Sequence, residues 1–418
     1  MLQSRKTICR INDTYANIIG HMCYAAYKLW NVCNYERIHY TELNLPVPYP
    51  DWYYQKSAHK EDLWYKSLPS QTAQEICKQL DKSWKSFYRL LSTKGIENPR
   101  PPKFKNDNMP ITYMQNGIVH ETNTNSVRLS LPRKLKEYMQ QQYGIYENYL
   151  FLENCIFENI ETIKQIILYP PKDGEIEVIV VYEVPDIVPV MDNGHYLSID
   201  LGLHNLMTCY DSEGKSMIVG RKYLSICRGF DKKIAKVQSA WYQSQINAGT
   251  KYPKSSKHIQ QLYQKKKNTI NDYLHKATRY IAGYCKENGI CKLIIGDITK
   301  IREDNNLGHM VNQQLHSLPF EKIYTMLYYK LALYGISFEK QEESYTSQCS
   351  PLSNEVSKKC AKRSRRVYRG LYKEEGQIWN ADTVGAYNVM RKYLLSHNVV
   401  EKPTLKGLSN PQIIKVAV

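Results

Sequence analysis

The stretch YLSIDLGLHNL, residues 196–206, decides the reading of the C-terminal half of the chain. An apolar run of strand length ends in Asp200, and Gly202 follows directly after it. A strand end holds a carboxylate rigidly, and a glycine there lets the backbone turn away beside a bound phosphate. An Asp that merely closes a strand-to-turn junction has the same local pattern, so the segment alone leaves both readings open. Outward from it the pattern alternates between strand and helix. A loop and hairpin run through 217–219. A long amphipathic helix covers 256–286, with Ile259, Leu262, Tyr263, Ile270, Tyr273, Leu274, Ala277, Ile281 and Tyr284 on its apolar side and Gly289 placed as its stop. A buried-type strand follows at 290–295, then a helix at 320–333, a strand at 336–342 and a final helix at 381–395.

That last helix carries a second carboxylate. In NADTVGAYNVMRKYL, residues 380–394, Asp382 sits where the helix begins, and Ala386, Val389, Met390 and Tyr393 line one apolar face. An Asp here either serves the helix dipole or points into a metal site beside the end of the first strand. Paired carboxylates on Mg²⁺ would activate water and stabilise the leaving oxygen of a phosphodiester.

The N-terminal half reads differently. A short alternating strand at 3–10 gives way to helical pattern from about residue 12. The clearest helix, 70–91, places Ala73, Ile76, Cys77, Leu80, Trp84, Phe87 and Leu91 on one face, with Ser70 as its N-cap. Lys78, Lys82, Lys85 and Arg89 form a stripe at the same spacing, either a solvated face or a phosphate-contacting one. A basic, Pro-rich loop at 98–107 ends the helical part. Strands at 111–114, 127–131, 163–169 and 176–184 then predict a small β-barrel with helices inserted between its first and second strands, and 185–194 reads as a linker.

Composition narrows the partners. At 418 residues the chain is long for one domain, and with 42% hydrophobic residues it is not a disordered one. Its 57 Lys and Arg against 40 Asp and Glu give a net charge of +17, which favours a polyanion through steering and counterion release. Tyr is used 35 times and Phe only 7, and Tyr offers both a stacking face and a phosphate-binding hydroxyl. The 11 Cys are scattered without close pairing, and no apolar leader or membrane-length run is present. Free thiols in a reducing bacterial cytoplasm, with no membrane partner, are the expectation.

The segments around Asp200 and Asp382 resemble the first and third RuvC motifs of the TnpB proteins of bacterial transposons and of the related compact type V CRISPR effectors. Residues 273–298 resemble the helix and strand before the second motif. EESYTSQCS, residues 342–350, resembles the lead into the family's zinc-binding insertion. Residues 68–88 and PPKFK, residues 101–105, resemble its N-terminal part. The resemblance implies an α+β multidomain fold. A wedge β-barrel would occupy 1–11 and 107–189, with a helical recognition bundle inserted at 12–106. A ribonuclease H-like RuvC domain would occupy 190–343 and 380–418, interrupted by a degenerate zinc-finger-like insertion at 344–379. It implies an RNA-guided DNA endonuclease holding two Mg²⁺ ions. A guide RNA (transposon-end RNA or CRISPR RNA) would supply sequence specificity beside a short duplex motif in double-stranded target DNA, with one or two protein copies per guide.

Two departures stand out. Relatives often carry Glu-Asp after the second-motif strand, where this chain has Gly296-Asp297. Asp297 is a poor replacement, because adjacent strand residues point to opposite faces. The next strand ends in Glu342 and Glu343 and should lie alongside. The resemblance favours Glu343 as the third ligand with Asp200 and Asp382, leaving Glu342 and Asp297 as alternatives. In the insertion, the expected pairs of metal-binding cysteines reduce to Cys349 and Cys360, too few for a structural zinc. Its run of cations, among them Lys362, Arg363, Arg365, Arg366 and Arg369, suits contact with the DNA strand being loaded. A binding-only repressor is the competing reading, supported by the glycine at 296. A strand-joining transposase has less support, since no catalytic Tyr-His-His arrangement is present.

Overall fold

The computed structural model describes residues 1–93, 96–299, 318–368, 370–399 and 402–417. The chain forms two units, Met1–Pro185 and Asp186–Val418. No helix among the described residues is long and apolar enough to cross a membrane.

The first unit is mixed α and β. Strand β1 (Leu2–Arg10) leads into α1 (Asp13–Ile38), whose N-cap Asn12 accepts a hydrogen bond from the Tyr15 amide. Helices α2 (Trp52–Ala58), α3 (Leu63–Lys66) and α4 (Ser70–Thr93) follow. The apolar spacing read for α4 is the face it buries: Ala73, Ile76, Cys77, Leu80 and Trp84 are covered, while Leu91 in the last turn stays 47% exposed. Ser70 is the first helical residue rather than the cap. Strands β2 (Ile111–Met114), β3 (Ile118–Glu121), β4 (Ser126–Ser130), helix α5 (Arg133–Tyr143), and strands β5 (Tyr149–Glu153), β6 (Thr162–Leu168) and β7 (Glu175–Glu183) complete the unit.

The expected closed barrel is not what these strands make. They form a four-stranded sheet in the order β1-β7-β6-β2 and a separate three-stranded sheet, β3-β4-β5. A 3₁₀ turn at Gln115–Gly117 redirects the chain between β2 and β3, so the second sheet starts afresh instead of continuing the first. The inner faces of both sheets, including Val127, Leu129, Leu150, Ile166 and Val178, join the helices in one apolar core.

The second unit is built on a six-stranded sheet. Its elements are β8 (Tyr196–Leu201), β9 (Met207–Asp211), β10 (Ser216–Val219), α6 (Tyr223–Asn247), α7 (Lys257–Glu287), β11 (Lys292–Asp297), α8 (Phe320–Ala332), β12 (Ser337–Glu342), the hairpin β13 (Leu371–Glu374) and β14 (Gln377–Asn380), α9 (Ala381–Ser396) and β15 (Gln412–Ile414). The strand order is β12-β11-β8-β9-β10-β15. β11 runs parallel to both β8 and β12, while β8, β9 and β10 form an antiparallel meander.

Both faces of the central strands are covered, as near-continuous apolar strands require. Leu197, Ile199, Leu293 and Ile295 point into a core shared with α7 and α8. Tyr196 and Ile294, on the opposite face, pack with α9. By the two-residue period, Ser198 and Asp200 on β8 and Gly296 on β11 share the α9 face. The Ser198 hydroxyl donates to the Ala386 carbonyl of α9 at 2.7 Å, which ties helix to strand on that side.

Candidate active site

The end of β8 delivers Asp200 to the α9 face. Gly202 makes the exit possible, since a Cβ there would lie 2.9 Å from the Asn205 carbonyl oxygen, inside the turn. The same turn presents Asn205, whose amide donates to Asp382 Oδ2 at 2.8 Å. Asp382 lies in the first turn of α9, but the cap is Asn380, whose side chain accepts from the amides of residues 382 and 383. The carboxylate of Asp382 is thereby left to face Asn205 and the Arg366 guanidinium, the latter at 3.4 Å. Two residues not singled out in the sequence therefore belong to the site. Asn205 sits within the quoted opening stretch. Gly385 of α9 is the other, since a Cβ on it would meet Asp200 Oδ2 at 2.7 Å, so the helix packs directly against the carboxylate.

A further carboxylate reaches this region from the residue after the next strand. β12 pairs parallel with β11 in a register that sets Asp297 beside Glu342 and Gly296 beside Gln341. Glu343, one residue beyond β12, folds back over β11. A Cβ on Gly296 would sit 2.1 Å from Glu343 Oε2 and 3.5 Å from its Cβ, so the glutamate fills the space left by the missing side chain. β11 pairs with β8 up to Ile295 opposite Ile199, which puts Gly296 next to Asp200 in the following step. The Glu343 carbonyl accepts from the Thr346 amide and hydroxyl at 3.2 and 2.8 Å, fixing the bend. The end of β11 is held from the other side by the Tyr324 hydroxyl, which donates to the Gly296 carbonyl at 2.7 Å.

The electrostatics of this cluster are unbalanced. Burial pushes the Asp200 carboxyl well above the usual range, and Glu343 and Asp382 push it the same way against Arg366. Burial raises Glu343 to about 7, with Asp297 and Glu342 adding to it and Lys392 opposing. Glu343 Oε2 is buried and has no hydrogen-bond partner. The two alternative carboxylates are engaged elsewhere. Glu342 pairs with Lys392 and accepts from the Ser344 amide. Asp297 accepts from the Thr299 amide and hydroxyl.

The predicted basic contacts divide. Arg366 joins the carboxylate cluster. Arg365 is tied to Glu374 at 2.6 Å, so its charge is spent within the insertion. Lys362 is exposed. The Arg363 side chain and Arg369 lie outside the described residues. On α4, which belongs to the other unit, Lys78 stands over Trp52 and pairs with Glu75, and Lys85 pairs with buried Asp81. The stripe therefore has acids of its own, and among the described residues Lys82 and Arg89 stand exposed without a carboxylate partner. In the insertion Cys349 is buried against the Ser357 carbonyl, and the Cys360 thiol lies near Glu355. A further polar cluster, His195, Asp211 and Glu213, sits at the opposite end of β8. There His195 Nε2 and the Tyr284 hydroxyl satisfy both oxygens of Asp211 at 2.7 Å each, leaving a closed structural network.

Comparison with known proteins adds two domains. Residues 179–302 match the family described as a probable transposase, OrfB_IS605, and residues 320–389 match the Cas12f1-like TNB domain. No curated protein matches. Among solved structures, that of a Cas12f1–sgRNA–target DNA complex aligns with a TM-score of 0.59 at 14% identity, over 90% of this chain and 83% of that one. This likeness is one of fold. The mini-RNA-guided endonuclease CRISPR-Cas_phi3 aligns over 97% of this chain and 93% of that one at 9% identity, with a TM-score of 0.43.

Proposed function

We infer that this chain, TnpB-like and related to the type V CRISPR effectors through its two matched domains, is an RNA-guided DNA endonuclease. Its nuclease site is formed by Asp200, Glu343 and Asp382. The observation that carries the reading is the fit of Glu343 into the space above Gly296: a carboxylate from one strand occupies the position a neighbouring strand's side chain would otherwise hold. The strand order β10-β9-β8-β11-β12 supports a ribonuclease H-like, RuvC-type unit, with the carboxylates gathered at the end of its central strands.

The donor set suits a hard divalent cation. Asp200 feels the charges of both Glu343 and Asp382, with Arg366 the cation that opposes them there. Two carboxyls are held above their usual range, and one buried oxygen lacks a partner. Oxygen-only ligation fits Mg²⁺, and Asp200, Glu343 and Asp382 would hold the ions, two in the proposed site. Bound there, Mg²⁺ supplies a water of lowered pKa and stabilises the leaving oxygen of the phosphodiester. The chain's own residues do the positioning. Asn205 orients Asp382 through Oδ2, Gly385 lets α9 close on Asp200, and Tyr324 holds the Gly296 backbone from the far side. Arg366, which pairs with Asp382, would also meet a scissile phosphate.

Guide RNA would select the target by base pairing and double-stranded DNA would be the substrate, with a short flanking duplex motif read by the protein. A bacterial cytoplasmic setting fits this role. A binding-only repressor would have no use for a glutamate fitted against Gly296 beside two retained aspartates. The test is incubation of the purified ribonucleoprotein with a guide-matched plasmid. Linearisation with Mg²⁺ and none with EDTA is expected; guide-dependent binding without any cutting in Mg²⁺ would favour the repressor.

A further inference from the structure

Helices α7 and α8 pack against each other and leave a cavity of about 440 Å³ lined by Asp272, His275, Lys276, Arg279 and Lys330 with Tyr334 among others. Its charge is lopsided. Lys330 is drawn into the groove, where Nζ donates to the His275 carbonyl and the Thr278 hydroxyl at 2.7 Å each. Burial and then the Arg279 guanidinium pull Lys330 down to about 8. Burial, Lys330 and Lys322 also hold the His275 imidazole below its usual range. The one carboxylate lining the cavity, Asp272, is taken by Lys276 at 2.6 Å. Among the described residues neither Lys330 nor Arg279 has a carboxylate partner.

A half-buried lysine set beside a second cation costs the free protein energy. The two acceptors that Lys330 meets do not depend on it. The Thr278 hydroxyl already donates to the Leu274 carbonyl at 2.7 Å, and the His275 carbonyl belongs to the helical ladder, so neither would be orphaned without Lys330. A cost the fold does not need is what a preformed anion site looks like. The carboxylate cluster lies on the α9 face of the sheet, whereas α7 and α8 cover the other face. This groove is therefore separate from the proposed nuclease site.

We propose that the groove between α7 and α8 binds a backbone phosphate of a nucleic acid through Lys330 and Arg279. The inference rests on the RNA-guided reading only for the polymer that carries the phosphate, which is either RNA or DNA.

The test measures binding, not cleavage. The full chain, Lys330→Met and Arg279→Gln are titrated in EDTA across a salt series with a labelled RNA strand and, separately, a labelled DNA duplex. Each lost phosphate contact removes about 0.7–0.9 from the slope of log affinity against log salt. Both variants are expected to show that loss for at least one polymer, with Kd raised by roughly 3–10-fold at moderate salt. The polymer that responds is the source of the phosphate. Lys330→Met should also melt no lower than the wild type without nucleic acid, because a strained cation has been removed. Unchanged slopes for both polymers in Arg279→Gln, whose side chain sits at the exposed rim, would overturn the proposal. So would a lower melting temperature in Lys330→Met with binding intact, which marks a structural lysine. Because no cutting is involved, a wild type that cleaves guided DNA while both variants bind normally loses only this proposal. Weakened binding in a chain that never cleaves loses only the endonuclease reading.

Discussion

Gly296→Ala is the smallest change that probes the relocated carboxylate. The added Cβ would lie 2.1 Å from Glu343 Oε2, against an ordinary contact of 3.4 Å or more. The carboxylate must therefore retreat by about 1.3 Å, the difference between those two distances. A misplacement of about 1 Å at reacting groups costs on the order of 100-fold in rate. The strand itself gains, since alanine in place of glycine in a regular element is worth roughly 0.5–1 kcal/mol. The prediction is thus a split: guided plasmid cleavage falls about 100-fold while the melting temperature holds or rises. The double variant Gly296→Glu with Glu343→Ala returns a carboxylate to β11 and should recover part of the rate lost by Glu343→Ala alone. A Gly296→Ala protein that cuts within a factor of about three of the wild type, well short of that loss, would refute the reasoning. Glu343 would then not need to occupy the space it fills.

Further consequences follow from the charges. Because Glu343 is held at about 7 in the fold, the native state binds more protons than the unfolded chain between its ordinary range near 4.5 and 7. Metal-free stability should fall as pH rises through that window, and Mg²⁺ should restore it at pH 7.5 by about 2.7 kcal/mol at 100 times its Kd. No shift in melting temperature on adding Mg²⁺ would speak against a carboxylate metal site. His59 loses stability in the same direction at higher pH, but its raised value comes from ion pairing instead of burial. Burial would lower it, yet Glu36 and Asp62 raise it to about 9. Its contribution is complete below about 6.5 and lost as pH rises through about 9, so His59→Gln should cost up to about 3 kcal/mol at pH 6 and little at pH 10, read by denaturant unfolding. Finally, elemental analysis of purified protein should find well under one zinc per chain. Stoichiometric zinc that survives dialysis would mean that Cys349 and Cys360 recruit ligands not apparent among the described residues.

Much of the second unit was legible because its signals are local. The apolar run into Asp200, the long α7 face and the helix carrying Asp382 all announce themselves by period. What escaped was set by distance. α6 went unread because only Tyr223, Leu224, Cys227 and Ile234 of its residues are buried, too thin a stripe to register. β15 has three residues and takes its place only by pairing with β10. The barrel failed for a similar reason: strand segments are readable one at a time, but whether β2 continues into β3 depends on a three-residue turn. For the third carboxylate, residue type alone left Glu343, Glu342 and Asp297 open. In the fold they differ by the β11–β12 register, by the Lys392 ion pair that holds Glu342 and by the Thr299 hydrogen bonds that hold Asp297. The role of Gly385 was equally hidden, since a helical glycine shows its purpose only when the partner strand is in place.

The most direct measurement of the central claim compares four single variants, Asp200→Ala, Asp382→Ala, Glu343→Ala and Glu342→Ala, as guide-loaded complexes cutting a matched plasmid in Mg²⁺. The account predicts that the first three bind target normally and lose cleavage, while Glu342→Ala keeps it. Full cleavage by Glu343→Ala would contradict it.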